Sequence, residues 1–273
     1  MPTATVNGVN LSYALEGEGP PFVLMHGFMS GKFVWDPLME GLPGRFQTVR
    51  YDHRGHGDSD KPPGPYRIQD FTDDLLGLLN YLGLEKVDLM GHSMGGRTAL
   101  LFALQHPGRL NRLFLVGASG AAPGGEFRER FEKLKRLAAA EGMEAVFDSD
   151  LYTFALPEAW KAEPARSAAR ERFLKNTPAG LSGSTDAVMS MPDLRERLGE
   201  IAAPTWVCAG KKDAGPLAFS ELCEKNIPDC VRAIIPGCGH YPMQDAAPDF
   251  IGALDAFIDQ TAGLPRTNQE AKQ

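Results

Sequence analysis

The segment Gly91-His92-Ser93-Met94-Gly95-Gly96 lies between an apolar run, Val87-Asp88-Leu89-Met90, and an apolar, helix-like stretch that begins near Arg97. It therefore has the form G-x-S-x-G at the junction of a predicted strand and a predicted helix. A serine at such a tight turn carries its hydroxyl clear of the backbone, and the glycines let neighbouring elements approach closely. A turn that only packs a helix on a sheet explains the glycines but not the serine. The segment predicts a nucleophile at Ser93.

Apolar runs that alternate with amphipathic segments make up most of the remaining chain. Residues 3–15 predict a hairpin around Asn7-Gly8, because Asn-Gly is a preferred dipeptide of two-residue hairpin turns. The apolar period from Gln69 to Leu82 predicts a helix with Asp70 as its cap. Apolar strands that alternate with helices are typical of a parallel sheet covered on both faces. Further strands are predicted at Pro21–Met25, Phe46–Tyr51, Leu110–Val116, Thr205–Ala209 and Val231–Ile235, and further helices up to Gln105 and from Phe250 to Ile258.

The alternation stops between residues 120 and 199. Glu126–Glu141 predicts a charged helix, and the residues after it are rich in Ala, Pro, Arg and Glu without a clear strand. We expect a helical lid over the carboxyl edge of the sheet, inserted into a core formed by residues 1–119 and 200–262. The polar residues 263–273 are expected to be disordered. The aromatic residues of the insertion are mostly expected in the core of the lid rather than in a pocket wall: Phe147, Tyr152, Phe154, Trp160 and Phe173.

The composition restricts the possible partners. The 273 residues carry a formal net charge of −7, which does not suit phosphate binding, so we expect no nucleic-acid partner. The chain has no signal-peptide pattern and no run of about 18 apolar residues, so we expect a cytoplasmic protein without membrane contact. The four cysteines (208, 223, 230 and 238) contain no C-x-x-C pair and are interpreted as thiols. We expect neither a metal nor a cofactor.

A serine hydroxyl needs a base to remove its proton during attack, and that base is usually a histidine. His240 lies in the small-residue loop Pro236–Pro242, directly after a predicted buried strand. Such a loop reaches the carboxyl edge of the sheet, where ligands bind in open α/β folds. We therefore predict His240 as the base. Of the other histidines, His53 and His56 are expected to shape a Gly-rich turn, His106 to end a helix, and His92 to pack away from the serine.

The carboxylate that orients the histidine is expected at another strand end, upstream of His240. Asp213 in Gly210-Lys-Lys-Asp213 follows the predicted strand 205–209, whereas the strand end at 116–120 contains no carboxylate. Asp213 is the predicted acid. The alternatives are a solvated turn aspartate at this position, or Asp229 or Asp245 as the acid.

Acyl transfer also needs hydrogen-bond donors for the developing oxyanion. The Met94 N–H is predicted to lie at a helix N-terminus, where it points toward negative charge beside the serine. The second donor is predicted to be the Phe28 N–H, because His26-Gly27-Phe28 follows the strand 21–25. The side chains of Phe28 and Met94 are expected to line an acyl pocket.

Together these motifs resemble the α/β-hydrolase superfamily over roughly residues 5–119 and 200–260. The resemblance is carried by His26-Gly27, Asp52-His-Arg-Gly-His-Gly-Asp-Ser59, the serine turn, Gly210-Lys-Lys-Asp213 and Gly237-Cys-Gly-His240. It implies an α/β-hydrolase fold with a mostly parallel, eight-stranded sheet and an inserted helical cap. Within the superfamily, the chain looks like the capped esterase, enol-lactonase and C–C-bond hydrolase branch.

The resemblance implies a serine hydrolase that cleaves a carboxylic ester or lactone, acting as a monomer or homodimer on a small molecule. Dehalogenase and epoxide-hydrolase relatives have Asp where this chain has Ser93, which argues against both. Two alternatives remain: a C–C-bond hydrolase with the same triad, and a hydrolase-like ligand receptor. An acidic substrate would want a cationic anchor in the cap, but its arginines (128, 130, 166, 170 and 172) are as well explained by a solvated face, and no anchor is assigned.

Overall fold

A computed structural model describes residues 1–153 and 156–262 of the chain. They form a central sheet with helices on both faces. The strands are β1 (Thr3–Val6), β2 (Val9–Glu16), β3 (Pro21–Met25), β4 (Gln47–Tyr51), β5 (Val87–His92), β6 (Leu110–Val116), β7 (Thr205–Gly210) and β8 (Cys230–Ile235). The helices are α1 (Ile68–Tyr81), α2 (Met94–Gln105), α3 (Gly125–Asp148), α4 (Asp150–Thr153), α5 (Ala165–Phe173), α6 (Pro178–Met189), α7 (Ala214–Asn226), α8 (Pro242–Asp245) and α9 (Ala247–Gln260).

The sheet has eight strands in the order β1-β2-β4-β3-β5-β6-β7-β8. Strand β2 pairs antiparallel with both β1 and β4, whereas the pairs from β4 through β8 are parallel. The carboxyl ends of the parallel strands therefore lie along one edge. The mostly parallel, eight-stranded sheet implied by the resemblance is confirmed.

Each central strand contributes alternate residues to two apolar cores. In β5, Leu89 packs into the core beneath α1, α2 and α7, and Met90 packs into the core beneath α9. This is the period of two that a strand imposes on its side chains. In β7 the same alternation sends Val207 to the first core and Trp206 to the second. Burial on both faces explains why these strands are apolar throughout their length.

The ends of three elements differ from the sequence prediction. Helix α1 begins at Ile68 with Arg67 as its N-cap, so Asp70 is not the cap but the third helical residue. Its carboxylate accepts the Arg67 N–H at 2.7 Å and so satisfies a donor that the helix leaves free. Helix α2 begins at Met94, three residues before the expected start. Helix α3 extends past residue 141 to Asp148, with a kink where Gly142 adopts φ 85°.

The hairpin at residues 7–8 forms as expected. Asn7 and Gly8 both have positive φ, 47° and 77°, as a type I′ turn requires, and Val6 pairs with Val9. A left-handed backbone is available to Gly at no steric cost and to Asn at little cost. The turn fixes the register of the edge hairpin.

The described residues between 120 and 199 form helices α3 to α6 and contribute no strand to the sheet. Their apolar side chains, such as Leu134, Phe147 and Phe173, build a separate core that also includes Met29. The division into core and lid stays a prediction, and the expected disordered tail at 263–273 lies outside the described residues. Within residues 1–153 and 156–262, no helix is both long enough and apolar enough to span a bilayer.

Candidate active site

Ser93 lies in the turn between β5 and α2, at the carboxyl edge of the sheet. Its backbone has φ 53° and ψ −110°, a region that non-glycine residues rarely occupy. The chain passes very close to the end of β3 here, since a Cβ atom at Gly95 would lie 2.6 Å from the carbonyl oxygen of Met25. Only glycine fits this approach. The turn thus has the geometry expected of a strained nucleophile-bearing elbow.

The structure brings Ser93, His240 and Asp213 together. The Nε2 atom of His240 lies 2.9 Å from the Oγ of Ser93, and its Nδ1 atom lies 2.6 Å from the Oδ2 of Asp213. The imidazole therefore links the hydroxyl to the carboxylate, with Nδ1–H donating to Asp213. All three residues are part-buried rather than fully enclosed, so a substrate can reach the hydroxyl.

Two loops position the histidine and the acid. Asp213 directly precedes α7, and His240 follows β8; the Lys212 N–H donates to the Cys238 carbonyl at 3.0 Å and joins the two loops. A Cβ atom at Gly210 would lie 2.7 Å from the Cys238 carbonyl oxygen, so glycine is needed for this contact. The loops consequently hold the carboxylate beside Nδ1.

Within the described residues, neither rival carboxylate forms an ion pair with His240. The Asp245 carboxylate instead accepts the Glu158 N–H at 2.9 Å. Burial raises the pKa of the Asp245 carboxyl, which is the wrong direction for a permanent counter-charge to imidazolium. Asp213 is the carboxylate in contact with His240.

His92 makes a contact that the sequence did not predict. Its Nε2 atom lies 2.8 Å from the His240 carbonyl oxygen, and the two rings are 4.8 Å apart between centroids. Burial holds the pKa of His92 well below its ordinary value, so the ring is neutral and Nε2–H is the donor. His92 therefore supports the backbone of the histidine that faces Ser93. Nothing in a sequence reading distinguishes this role, because it depends on the distance between two chain segments that the sheet brings together.

The predicted oxyanion donors lie on either side of Ser93. Met94 is the first residue of α2, so its N–H has no acceptor within the helix. The backbone at residue 27 runs beside the serine, since a Cβ atom at Gly27 would lie 3.1 Å from the Ser93 Cβ. Phe28 lines the same cavity as Ser93, whereas the Met94 side chain packs in an apolar cluster with Phe71 and Phe131. The expectation that Met94 lines the pocket with its side chain is therefore wrong.

Three buried histidines support the oxyanion segment from behind. The Nε2 atom of His26 accepts the His53 N–H at 3.0 Å, and its Nδ1 lies 2.7 Å from the Gly27 carbonyl oxygen. The Nδ1 of His56 lies 2.9 Å from the Arg54 carbonyl oxygen. Burial lowers the pKa of His26 to about 4 and holds the pKa values of His53 and His56 well below the ordinary value. The neutral rings of His53 and His56 shape the turn, as the sequence indicated, and His26 joins them.

A cavity of about 910 Å³ opens onto Ser93 and His240. Its walls come mainly from two sources: the strand-end loops and helix starts around the triad, and described residues of the insertion between 121 and 159. Among the aromatic residues of the insertion, Tyr152 lines the cavity, and Phe147 and Phe173 lie in the core of the insertion. Trp160 packs between the core of the insertion and the core beneath α9. Phe154 lies outside the described residues. Within the described ranges, no cluster of three or more His, Cys, Asp or Glu side chains is placed to hold a metal ion.

Comparison with known proteins agrees with this geometry. Residues 20–151 match the family model of the alpha/beta hydrolase fold. The putative carbamate hydrolase RutD of Azorhizobium caulinodans is 33% identical over 260 residues, which cover 93% of this chain and 96% of that protein.

Two solved structures are also similar over nearly the whole chain. The enol-lactonase of Burkholderia xenovorans LB400 superposes with a TM-score of 0.84 at 28% identity, covering 94% of this chain and 100% of that one. A thermophilic esterase from Thermogutta terrifontis superposes with a TM-score of 0.86 at 27% identity, covering 95% and 98%. The shared architecture is therefore that of a hydrolase.

Proposed function

The chain belongs to the α/β-hydrolase superfamily, and we propose that it is a serine hydrolase that cleaves a carboxylic ester or a lactone. The observation that carries the proposal is the continuous hydrogen-bonded path from the Ser93 hydroxyl through His240 to Asp213. That path lies on the wall of a cavity large enough for a small-molecule substrate. A serine activated by a neighbouring histidine can form an acyl-enzyme.

In the proposed mechanism, the Ser93 Oγ attacks the carbonyl carbon while His240 Nε2 takes the hydroxyl proton. Asp213 stabilises the resulting imidazolium through Nδ1–H. The negative charge that develops on the carbonyl oxygen is bound by the N–H groups of Phe28 and Met94. His240 then gives the proton to the leaving alkoxide oxygen, and the C–O bond breaks to leave an acyl-Ser93. Water then attacks the acyl carbon while His240 takes one of its protons; the bond to Ser93 Oγ breaks, His240 returns the proton to Oγ, and the acid product departs.

Esters and lactones are favoured as the substrate class because both solved relatives named above hydrolyse an acyl–oxygen bond according to their names. A carbamate is the second candidate, supported by the 33% identity to a putative carbamate hydrolase. The same serine and base can serve both reactions. A carbamate has a nitrogen substituent on the carbonyl carbon where a carboxylic ester has a carbon substituent, and the alkoxy leaving group is the same. Parallel assays with a phenyl ester and a phenyl carbamate separate the two, and a dienoic ring-fission product tests the C–C-bond alternative.

The role of Ser93 is tested by fluorophosphonate labelling and by p-nitrophenyl ester hydrolysis. We expect the wild-type protein to be labelled at Ser93. The Ser93→Ala variant is expected not to be labelled, and its kcat is expected to be about 10⁶-fold lower. Ser184→Ala is the matched control, because that serine is buried, its hydroxyl has no hydrogen-bond partner within the described residues, and it does not line the cavity. Unlabelled wild-type protein with an intact fold would instead indicate a ligand receptor. Near wild-type hydrolysis by Ser93→Ala would falsify the proposal.

A further inference from the structure

Two arginines line the cavity: Arg130 belongs to the insertion, and Arg97 belongs to the core side. Arg97 is in the first turns of α2, where its backbone N–H donates to the Ser93 carbonyl at 3.0 Å. The Arg97 side chain lines the same cavity as the Ser93 hydroxyl and is part-buried there. A cation is thus built into the wall one helical turn from the nucleophile.

The contacts of this guanidinium leave most of its hydrogen-bonding capacity unused. Its Nη1 donates to the Ala121 carbonyl at 2.9 Å, and its Cζ lies 5.8 Å from the centre of the Phe127 ring. Within residues 1–153 and 156–262, no carboxylate lies within 4.0 Å of it. A guanidinium has five N–H donors, and burying it without a counter-ion is costly. Burial accordingly lowers the pKa of Arg97 to about 10.

Several other arginines of the chain pair with carboxylates, whereas the exposed Arg128, which like Arg97 donates to backbone carbonyls, does not line the cavity. Arg166 of the insertion pairs with Asp148 at 2.6 Å, and Arg172 lies 3.7 Å from Asp36. The buried Arg112 forms an ion pair with Asp88 across β5 and β6. If Arg97 only supported the loop at Ala121, one neutral donor would do the same work without the cost of a buried charge.

The charges around the cavity favour an anion at this wall. The lining residues between 97 and 134 include Arg97 and Arg130 and no acidic residue. The three acidic lining residues lie later in the chain and have partners: Glu158 pairs with Lys161 at 2.7 Å, Asp213 contacts His240, and Asp245 accepts the Glu158 N–H at 2.9 Å. A negative group beside Arg97 therefore meets positive charge without a competing carboxylate on that wall.

We propose that Arg97 binds a carboxylate of the substrate, so that the enzyme acts on esters or lactones that carry a second, anionic group a few carbons from the scissile carbonyl. This inference rests on the proposed serine-hydrolase function and narrows its substrate class. Guanidinium and carboxylate match as a bidentate pair. Holding the carboxylate at Arg97 would place the carbonyl near Ser93 and the N–H groups of Phe28 and Met94.

The test compares pairs of esters that differ in charge but not in shape. The monoethyl esters of succinic, glutaric, adipic and pimelic acid are assayed beside the corresponding ethyl esters with a terminal amide, by ethanol release. Rates are normalised to hydroxide-catalysed hydrolysis of each compound. At the best spacer length we expect kcat/KM for the acid to exceed that for the amide by about 10- to 100-fold, as for a charge-assisted hydrogen bond. Equal values at all four lengths would overturn the inference.

Three variants locate the effect. In Arg97→Met the acid-to-amide ratio is expected to fall to near one, and in Arg97→Lys to keep part of its value, because lysine offers charge without the planar fork. Arg128→Met is the matched control: it removes the same charge from α3, where Arg128 donates to the Pro123 and Met189 carbonyls and does not line the cavity. A ratio that is unchanged in Arg97→Met, or that falls equally in Arg128→Met, contradicts the assignment.

A second measurement avoids dependence on the folding of the variants. Glutarate, but not the isosteric diamide, is expected to slow fluorophosphonate labelling of Ser93 in the wild-type protein. Labelling without any protection by the dicarboxylates of the four lengths overturns the anion site and leaves the serine-hydrolase function standing. Absence of both labelling and ester hydrolysis overturns the two together.

Discussion

Acidification is expected to remove a large part of the folding free energy, because four histidines are buried in the neutral state. His26, His53, His56 and His92 are all fully buried. Burial is the largest cause of the lowered pKa at each of them. In the unfolded chain the same side chains titrate at their ordinary value, which is 6.5. Protons therefore bind the unfolded state in a pH range where the folded state takes up almost none.

The sign and size follow from this difference. A histidine whose folded pKa is depressed contributes stability that is complete above pH 6.5 and is lost as the pH falls toward the folded value, about 4 for His26. Between pH ~7.5 and ~5.5 each such histidine costs about 1.4 kcal/mol. The four together lower the free energy of unfolding by about 5 kcal/mol, which is comparable with the whole stability of many domains.

Urea unfolding at the two pH values, followed by tryptophan fluorescence, measures the loss. In the variant His53→Gln the loss is expected to be about 1.4 kcal/mol smaller than in the wild type, because one of the four groups no longer titrates. Contributions from carboxylates cancel in that comparison. A wild-type loss below the value for a single histidine, or a variant with an unchanged loss, would show that these rings take up protons in the folded state.

Two further substitutions test the site. Asp213→Asn should lower kcat for a p-nitrophenyl ester by about 10⁴-fold, since the asparagine favours the wrong tautomer of His240. Asp229→Asn is the control. Equal activity of the two variants would exclude Asp213 as the orienting acid. Gly95→Ala should lower the melting temperature and slow fluorophosphonate labelling, because the added Cβ would lie 2.6 Å from the Met25 carbonyl oxygen; overpacking of this kind costs about 1–3 kcal/mol. Gly252→Ala in α9, where a Cβ meets open space, should instead be neutral or stabilising, and a comparable loss there would point to a general effect of the substitution.

Much of the fold was predictable because the local residue preferences for strands and turns agree with the places that these segments take in the folded sheet. The strand 21–25, the Asn7-Gly8 turn and the apolar strand 110–116 were each identified with bounds close to those observed. The ends of helices were less predictable. Asp70 is a good N-cap by residue type, but the apolar face of α1 extends to the buried Ile68 and moves the helix start upstream. Gly142 gave no warning that α3 continues beyond a kink.

The triad was predictable because each member follows a strand of a parallel sheet, and such strands end along one edge. The contact of His92 with the His240 carbonyl was not, because its acceptor is a backbone carbonyl, which leaves no residue-type signal in the sequence. Arg97 was overlooked for a different reason. A cationic anchor for an acidic substrate was considered only among the arginines of the insertion, whereas Arg97 lies in α2, just after the serine turn, and lines the cavity from the core side.

The two sources of the cavity wall have a consequence for how such an enzyme changes. Ser93, Asp213 and His240 lie on loops of the sheet, while the described residues between 121 and 159 supply much of the remaining lining. The proposed catalytic residues and most of the opposite cavity wall are thus encoded in separate stretches of the gene, and Arg97 belongs to the first of these stretches. Replacing only the second stretch by that of a homologue would alter which compounds enter the cavity. It would leave the side chains of Ser93, Asp213 and His240 in the same relative positions.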